Sequence, residues 1–404
     1  MKKCVITSAA RTAVGAYLGS LKTVEAQDLG AAAIRAAAER SGIGLDQLEQ
    51  VVMGDVYGYT PNVSRCAALV AGVPEAVPAY SVDRQCASSL QAVVAATYEI
   101  QAGEADVVMA GGVETMSRLP YYLPPSARYE GFRLGDSKLY DTFSHGVTMV
   151  QPAKLYPGLN MGLTAENVAE QFDITRQAQD EFALDSQRKA KAAMEAGLFK
   201  DEIVPVEISL KKNSFVFDTD EHPRPEATLE SLAKLKPTFK FDGTGTVTAG
   251  NASGMNDGAS AVVVMSEEKA AALGKKPLVR IVSSTSVGLD PRIMGMGPAY
   301  AIPKALAKAG LSLEDMGLIE LNEAFAAQSL GCLKELNMLP GTKLYERVNV
   351  NGGAIALGHA LANSGTRILT TLIYEMKRRK VQFGIASLCI GGGQGMAMVV
   401  ENLE

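Results

Sequence analysis

The chain repeats itself, and this constrains its fold more than any single motif. Ser41 to Val51 (Ser-Gly-Ile-Gly-Leu-Asp-Gln-Leu-Glu-Gln-Val) matches Ala309 to Ile319 (Ala-Gly-Leu-Ser-Leu-Glu-Asp-Met-Gly-Leu-Ile) at an offset of 268, Gly42 against Gly310. Each follows an Ala-rich stretch and leads into an apolar run. Tyr98-Glu99-Ile100 then matches Tyr374-Glu375-Met376 at an offset of 276, each late in a helix before an apolar strand, Asp106 to Gly111 and Phe383 to Cys389. The same order of helix, strand, helix and strand at a near-constant offset predicts two similar α/β halves. With 404 residues, 47% of them apolar, the chain can fill two or three packed cores, which excludes a disordered or fibrous protein.

The halves differ by an insertion. Gly391 to Gly395 runs straight into a last strand, Met396 to Val400, whereas Gly111-Gly112 is followed by about 138 residues, 116 to 253, before the comparable strand Ala261 to Met265. The predicted domains are therefore 1–116 continued by 254–275, an inserted loop domain 117–253, and 276–404. Within the insert, Pro120 to Pro125 and Pro157-Gly158 mark loops, Thr164 to Gly197 reads as helices, and Phe215 to Lys240 is charged and proline-punctuated. An excursion of this size serves binding or acts as an oligomerisation arm, and the Pro- and Tyr-rich stretch near 120 is the segment suited to pairing subunits.

With 39 basic against 44 acidic side chains and a net charge of -5, no global field exists for nucleic acid or an anionic membrane. An anionic ligand needs a local patch. Arg224, Lys234, Lys236 and Lys240 are the candidates, a solvated charged face the alternative. The five cysteines are odd in number, scattered and without a C-x-x-C pair, unlike a disulfide framework or zinc site, which points to a reducing cytoplasm. Cys4, Cys66 and Cys332 read as core residues. After Met1-Lys2-Lys3 the apolar run is only Cys4-Val5-Ile6, a first strand and no signal segment. The longest uncharged stretch, Gly384 to Val400, is broken by glycines and Gln394 and is unfit to cross a bilayer.

Cys86 lies in Asp83-Arg-Gln-Cys-Ala-Ser-Ser-Leu90, where Leu90, Val93, Val94 and Ile100 begin a helical pattern. At a helix start the free backbone amides favour thiolate and should lower the thiol pKa, which suits a nucleophile; a buried structural cysteine is the alternative. His359, one of three histidines, ends the glycine-rich run Asn351 to His359 before another helix, as a positioned base, an oxyanion donor or a structural residue. His222, in Glu221-His222-Pro223, looks like an exposed turn residue. Cys389 ends a strand and enters Ile390-Gly-Gly-Gly-Gln-Gly395, so its thiol should surface in the crevice at the strand ends, beside open backbone amides. Asn322-Glu-Ala-Phe325 follows the strand Leu318 to Leu321 in the same way. No G-x-G-x-x-G, G-x-S-x-G or Walker A pattern occurs.

Taken in order, Gln85-Cys86, Asn251-Ala-Ser-Gly254, Asn322-Glu-Ala-Phe325, Gly352-Gly-Ala-Ile-Ala-Leu-Gly-His359 and Cys389-Ile-Gly-Gly-Gly-Gln-Gly395 resemble the thiolase family, on the side of its acetyl-CoA-condensing members. The resemblance covers the whole chain. It implies a five-layered α/β/α/β/α fold from two repeated halves, with the insert over the active site holding coenzyme A. It implies reversible Claisen condensation of two acetyl-CoA to acetoacetyl-CoA and CoA, with CoA as substrate and product and no metal or redox cofactor. By resemblance, Cys86 is the acylated nucleophile, His359 takes its proton and Cys389 is acid and base at the α-carbon. Asn322 would hold a water that acts with His359 on the enolate oxygen, and the amides of Cys86 and Gly391 would form a second oxyanion hole. Ser253 resembles the pantetheine contact, Arg224 with Ser231 the adenine-side contact, and Met161, Phe239, Met294 and Phe325 the pocket wall. A homotetramer, as a dimer of dimers, is implied too.

The division of labour is physically sensible. A carbon acid α to a thioester ionises at neutral pH only if its enolate is held by donors in a dry site. A covalent acyl-cysteine splits the reaction into two half-reactions and predicts ping-pong kinetics. The chain also departs from the family pattern. Ala87-Ser88-Ser89 stands where Gly or Ser, Ser and Gly are usual, so Ser89 is expected to add bulk and a hydroxyl close to the acyl site. Asn160 stands where biosynthetic members have His, Ala360 for the Pro after the catalytic His, and Asp83 for Asn. Three other readings stay open: a degradative 3-ketoacyl-CoA thiolase with a wider pocket, a decarboxylating synthase, against which Cys389 speaks, and a non-catalytic acyl-CoA binder or scaffold.

Overall fold

The computed structural model describes residues 2–209 and 214–403. Its first half runs β1 (Cys4–Thr12), α1 (Ala26–Ser41), β2 (Gln50–Gly54), α2 (Val63–Ala71), β3 (Ala79–Val82), α3 (Ser88–Ala102) and β4 (Val107–Thr115). The insert contributes α4 (Met161–Gln171) and α5 (Arg176–Glu195), and β5 (Asn256–Ser266) closes the half. The second half follows as β6 (Val279–Gly288), α6 (Gly297–Ala309), β7 (Leu318–Leu321), α7 (Ala326–Glu335), α8 (Ser364–Arg379), β8 (Phe383–Ile390) and β9 (Gln394–Asn402). The repeated Gly42 and Gly310 stop α1 and α6 alike, each in the left-handed conformation that ends a helix cheaply.

Strand order shows the repeat directly. One half reads β2-β4-β5-β1, the other β7-β8-β9-β6, and β3 is an extra edge strand on the first. The halves meet through a short ladder, Val5 opposite Arg280 and Ile6 opposite Val279. Because successive strand residues point to opposite faces, each sheet feeds two cores. Val51 and Met53 pack outward with Leu29 and Ile34 of α1, while Val52 packs inward. Ala397 and Val399 pack outward with Ile302 and Leu330 of α6 and α7, while Met396, Met398 and Val400 pack inward. The shared inner core is filled by α3 and α8, through Leu90, Val93, Ile368 and Leu372. This is the expected five-layered α/β/α/β/α order. Each fully buried Leu, Ile or Val contributes about 1.5–3 kcal/mol.

The starts of α3 and α8 lie almost in contact. A Cβ on Gly365 would fall 2.6 Å from the backbone nitrogen of Leu90, so a larger residue would push the two helices apart. The repeat thereby brings together the turns just ahead of the two central helices, residues 85–87 and 361–363. Residues 116 to 255 leave at the end of β4 and return at the start of β5, Thr115 pairing with Asp257. Described residues of this segment pack against both halves. Ile203 and Val204 pair with β1, Val206 and Phe217 join the first-half core, and Ala165, Val168 and Phe182 join the second-half core.

Candidate active site

A cavity of about 450 Å³ opens where the two central helices start beneath the insert, and Cys86, His359 and Gly391 line it. Met161, Phe239, Met294 and Phe325 form much of its apolar wall, with Ser253 at one side. Phe239 and Phe325 meet edge to face at 6.2 Å.

A tight turn presents Cys86. Asp83 Oδ1 accepts from the Gln85 N–H at 2.7 Å, Gln85 takes a positive φ of 47°, and the Ser88 hydroxyl accepts from the Arg84 N–H while donating to the Gln85 carbonyl. Asp83 makes this turn as Asn would, so the substitution keeps the geometry and adds a charge. The backbone amides of Gly391 and of Cys86 itself favour the thiolate. Even so, the expectation of a lowered pKa is wrong. Burial pushes the Cys86 thiol up to about 11, and the charges of Glu114 and Asp83 add to it. A helix end returns only about 0.3–1 kcal/mol, less than it costs to withdraw a thiolate from water. Cys86 therefore rests as a thiol.

His359 lines the same cavity. Its Nδ1 lies 2.6 Å from Ser364 Oγ, and that hydroxyl spends its single hydrogen on the Ala360 carbonyl at 2.8 Å. Nδ1 must then be the donor, which leaves the Nε2 lone pair free. Nε2 is buried with no hydrogen-bond partner among the described residues. Burial, with the nearby Arg367 charge, holds the imidazole pKa down to about 3. Thiol and imidazole thus rest as a neutral pair. Attack by Cys86 on a thioester should then change little through protonation of His359 between pH 6 and 9, Glu114, which burial raises to about 8, being the group acting on Cys86 that titrates there. Rapid-quench measurement would show it, and a roughly fivefold fall from pH 6.5 to 5.5, the response of an ordinary histidine, would refute it.

Cys389 corrects a second expectation. Its thiol does not surface: it is fully buried within the packed cluster that includes Met294, Ala324 and Phe325, three residues of the cavity wall. The strand does end at the cavity, but Cys389 faces the outer core of the second half while Gly391, beyond the strand end, reaches the lining. Burial first, then the field of Cys86, raise its pKa well above the ordinary thiol value. Asn322 is buried too, and both ends of its amide lack a hydrogen-bond partner among the described residues. Its neighbour Glu323 anchors the motif, accepting from Ser186 Oγ, Asn349 Nδ2 and the Ile355 N–H. The Ser253 N–H donates to the Ala324 carbonyl and the Ala326 N–H to the Asn251 carbonyl, which ties two sequence motifs together.

Other expectations change as well. The Ser89 hydroxyl is fully buried and accepts from the Thr366 N–H at 2.8 Å, joining α3 to α8 and lying outside the cavity lining. Asn160 lines the cavity and caps α4, its Oδ1 accepting from the Leu163 N–H. His222 is half-buried, not an exposed turn residue, and burial with Arg224 lowers its pKa to about 4. Cys66 is half-buried on α2, unlike the fully packed Cys4 and Cys332. Arg224 and Ser231 are exposed outside the lining, and the Ser231 hydroxyl closes a capping box with Thr228. Sequence reasoning missed Tyr57, Phe143 and Val150 in the lining, since no spacing marks loop residues that meet only in the fold. It also missed Glu114, although a lone ionisable residue in the strand Val107–Thr115 was a readable signal.

No helix among the described residues is long and apolar enough to cross a membrane. Residues 4–268 match the family model "Thiolase, N-terminal domain", and residues 275–402 match "Thiolase, C-terminal domain". The chain is 51% identical to an acetyl-CoA acetyltransferase of Escherichia coli (strain K12), with all of both chains covered. It is also 51% identical to one of Cupriavidus necator, over 99% of this chain and 100% of the relative. Among solved structures, the Bacillus anthracis acetyl-CoA acetyltransferase superposes with TM-score 0.93 at 46% identity, covering 100% of this chain and 99% of that one. Human mitochondrial 3-ketoacyl-CoA thiolase in complex with CoA gives TM-score 0.92 at 42% identity, covering 100% and 98%.

Proposed function

The chain belongs to the thiolase family, and from that premise we propose what its cavity does and with which residues. It is an acetyl-CoA C-acetyltransferase that condenses two acetyl-CoA to acetoacetyl-CoA and CoA, and cleaves acetoacetyl-CoA in reverse. The observation that supports the site assignment is that Cys86, His359 and Gly391 line one cavity, with His359 Nε2 buried and without a hydrogen-bond partner among the described residues.

In the first half-reaction Cys86 attacks the thioester carbonyl as its proton passes to His359 Nε2. The amides of Cys86 and Gly391 hold the developing oxyanion. The carbon–sulfur bond to CoA breaks, and Cys389 protonates the departing sulfur. A buried thiol with a raised pKa becomes a strong base once it has lost that proton. In the second half-reaction the Cys389 thiolate takes an α-proton from a new acetyl-CoA. The His359 imidazolium, together with a water held by Asn322, stabilises the enolate oxygen. The enolate carbon attacks the acetyl-Cys86 carbonyl, the bond to Cys86 breaks, and His359 returns its proton to that sulfur. Cys389 is covered by wall residues in the resting chain, so substrate has to displace that cover.

The insert, 117–253, holds coenzyme A. Ser253 sits beside pantetheine, and Arg224, Ser231 and the lysines near 234–240 form the exposed patch for its phosphates and adenine. The arm around 120–140, where Tyr121, Phe132 and Leu134 are exposed, supports assembly of a homotetramer. Five unpaired thiols suit the cytoplasm. A thiolysis series over 3-ketoacyl-CoA chain lengths tests the acyl assignment. Rates should fall about tenfold or more when two methylenes are added to acetoacetyl-CoA. Equal rates from four to eight carbons would instead mark a degradative 3-ketoacyl-CoA thiolase.

A further inference from the structure

His359 belongs to the second half, yet side chains of the first-half sheet hold its loop. The His359 N–H donates to Asn256 Oδ1 at 2.9 Å, and Asn256 is itself fixed by donating to the Gly15 carbonyl at 2.9 Å. The Ala362 N–H donates to Glu114 Oε2 at 3.1 Å, and the other oxygen of Glu114 accepts from the N–H of Tyr57, a cavity-wall residue. The Ser260 hydroxyl meets Asn363 Oδ1 at 2.5 Å. Asn256, Glu114 and Ser260 are fully buried on the adjacent strands β4 and β5. The contact is flush: Gly358 has a φ of 94°, and a Cβ there would lie 2.5 Å from Asn256. Ala360 places no ring restraint on this loop, so the hydrogen bonds to the opposite sheet carry the restraint.

We propose that Asn256, Glu114 and Ser260 form a clamp of positioning residues that sets His359 against Cys86, so that one half of the molecule aims the base of the other. None of the three lines the cavity; Asn256 and Glu114 act through the backbone N–H groups of His359 and Ala362, and Ser260 through the side chain of Asn363. The inference rests on the reading of Cys86 as acylated nucleophile and His359 as its base. If the clamp aims the base, loosening it makes acylation wait for thiolate formed without help.

The test is the rate of Cys86 acetylation by acetyl-CoA against pH, in wild type and in Asn256→Ala. Wild-type rates should change by less than tenfold per pH unit from pH 6.5 to 9, the clamp's own Glu114, whose burial and nearby Asp55 raise its pKa to about 8, being the group beside the His359 loop that titrates in this window. Asn256→Ala should be slower by about 10- to 100-fold at pH 7, as sub-ångström misplacement can cause, with KM within about threefold. Its rate should climb about tenfold per pH unit, tracking the thiolate fraction. A lowered profile with the wild-type slope in Asn256→Ala would mean a merely structural role and overturn the clamp, as would an unchanged rate. Should Asn256→Ala fail to fold, Ser260→Ala is read by the same slope. If wild type itself is not acetylated at Cys86, the functional reading fails and not the clamp alone.

Discussion

Cys86→Ala should take up no acetyl group from acetyl-CoA, and its thiolysis kcat/KM should drop by on the order of 10⁴-fold or more. The size follows from the chemistry, since both half-reactions pass through a bond to this sulfur and no other thiol lines the cavity among the described residues. The fold should survive, because Cys86 is half-buried and its turn is held by Asp83 and Ser88. Intact-mass analysis after incubation with acetyl-CoA reads the result. Persistent acetylation at another residue, or full activity, would return the chain to the alternative of an acyl-CoA binder whose chemistry lies elsewhere.

Cys389→Ala should separate the half-reactions. Loss of a positioned acid or base costs about 10²- to 10⁴-fold. That loss should fall on α-proton exchange, followed as solvent deuterium entering the acetyl methyl group, and on condensation. Cys86 acetylation should be slowed but present, since CoA thiolate can leave without an acid more readily than a carbon acid can ionise without a base. Because Cys389 is covered in the resting chain, this variant is the sharper trial of the mechanism. Wild-type exchange and condensation in Cys389→Ala would remove its role and leave a mechanism with one thiol.

Much of the site was legible because its signals are local. Cys86 ahead of a helical pattern, His359 after a glycine-rich run and Gly391 beyond a strand are features written within a few residues of each other, and all three reach the cavity. The clamp was not legible: Glu114 and Ala362 are 248 positions apart, Asn256 and His359 are 103 apart, and no spacing joins them. Ser89 misled in the same way. Its neighbours in the chain suggested the acyl site, but its hydroxyl serves Thr366, 277 positions away.

The sequence alone determined the two α/β halves, the place of the insert and the residue types at the strand and helix ends. The repeat and the capping and turn residues act within a turn or two of the chain, so they can be read in order along it. Only the tertiary structure decided protonation and access: that Cys86 rests as thiol, that His359 rests neutral with Nε2 free, and that Cys389 is covered. Desolvation is a sum over every group packed around an atom, and here those groups come from both halves and the insert. Against that sum a helix end or a glycine-rich turn, however plain in the sequence, is the smaller effect.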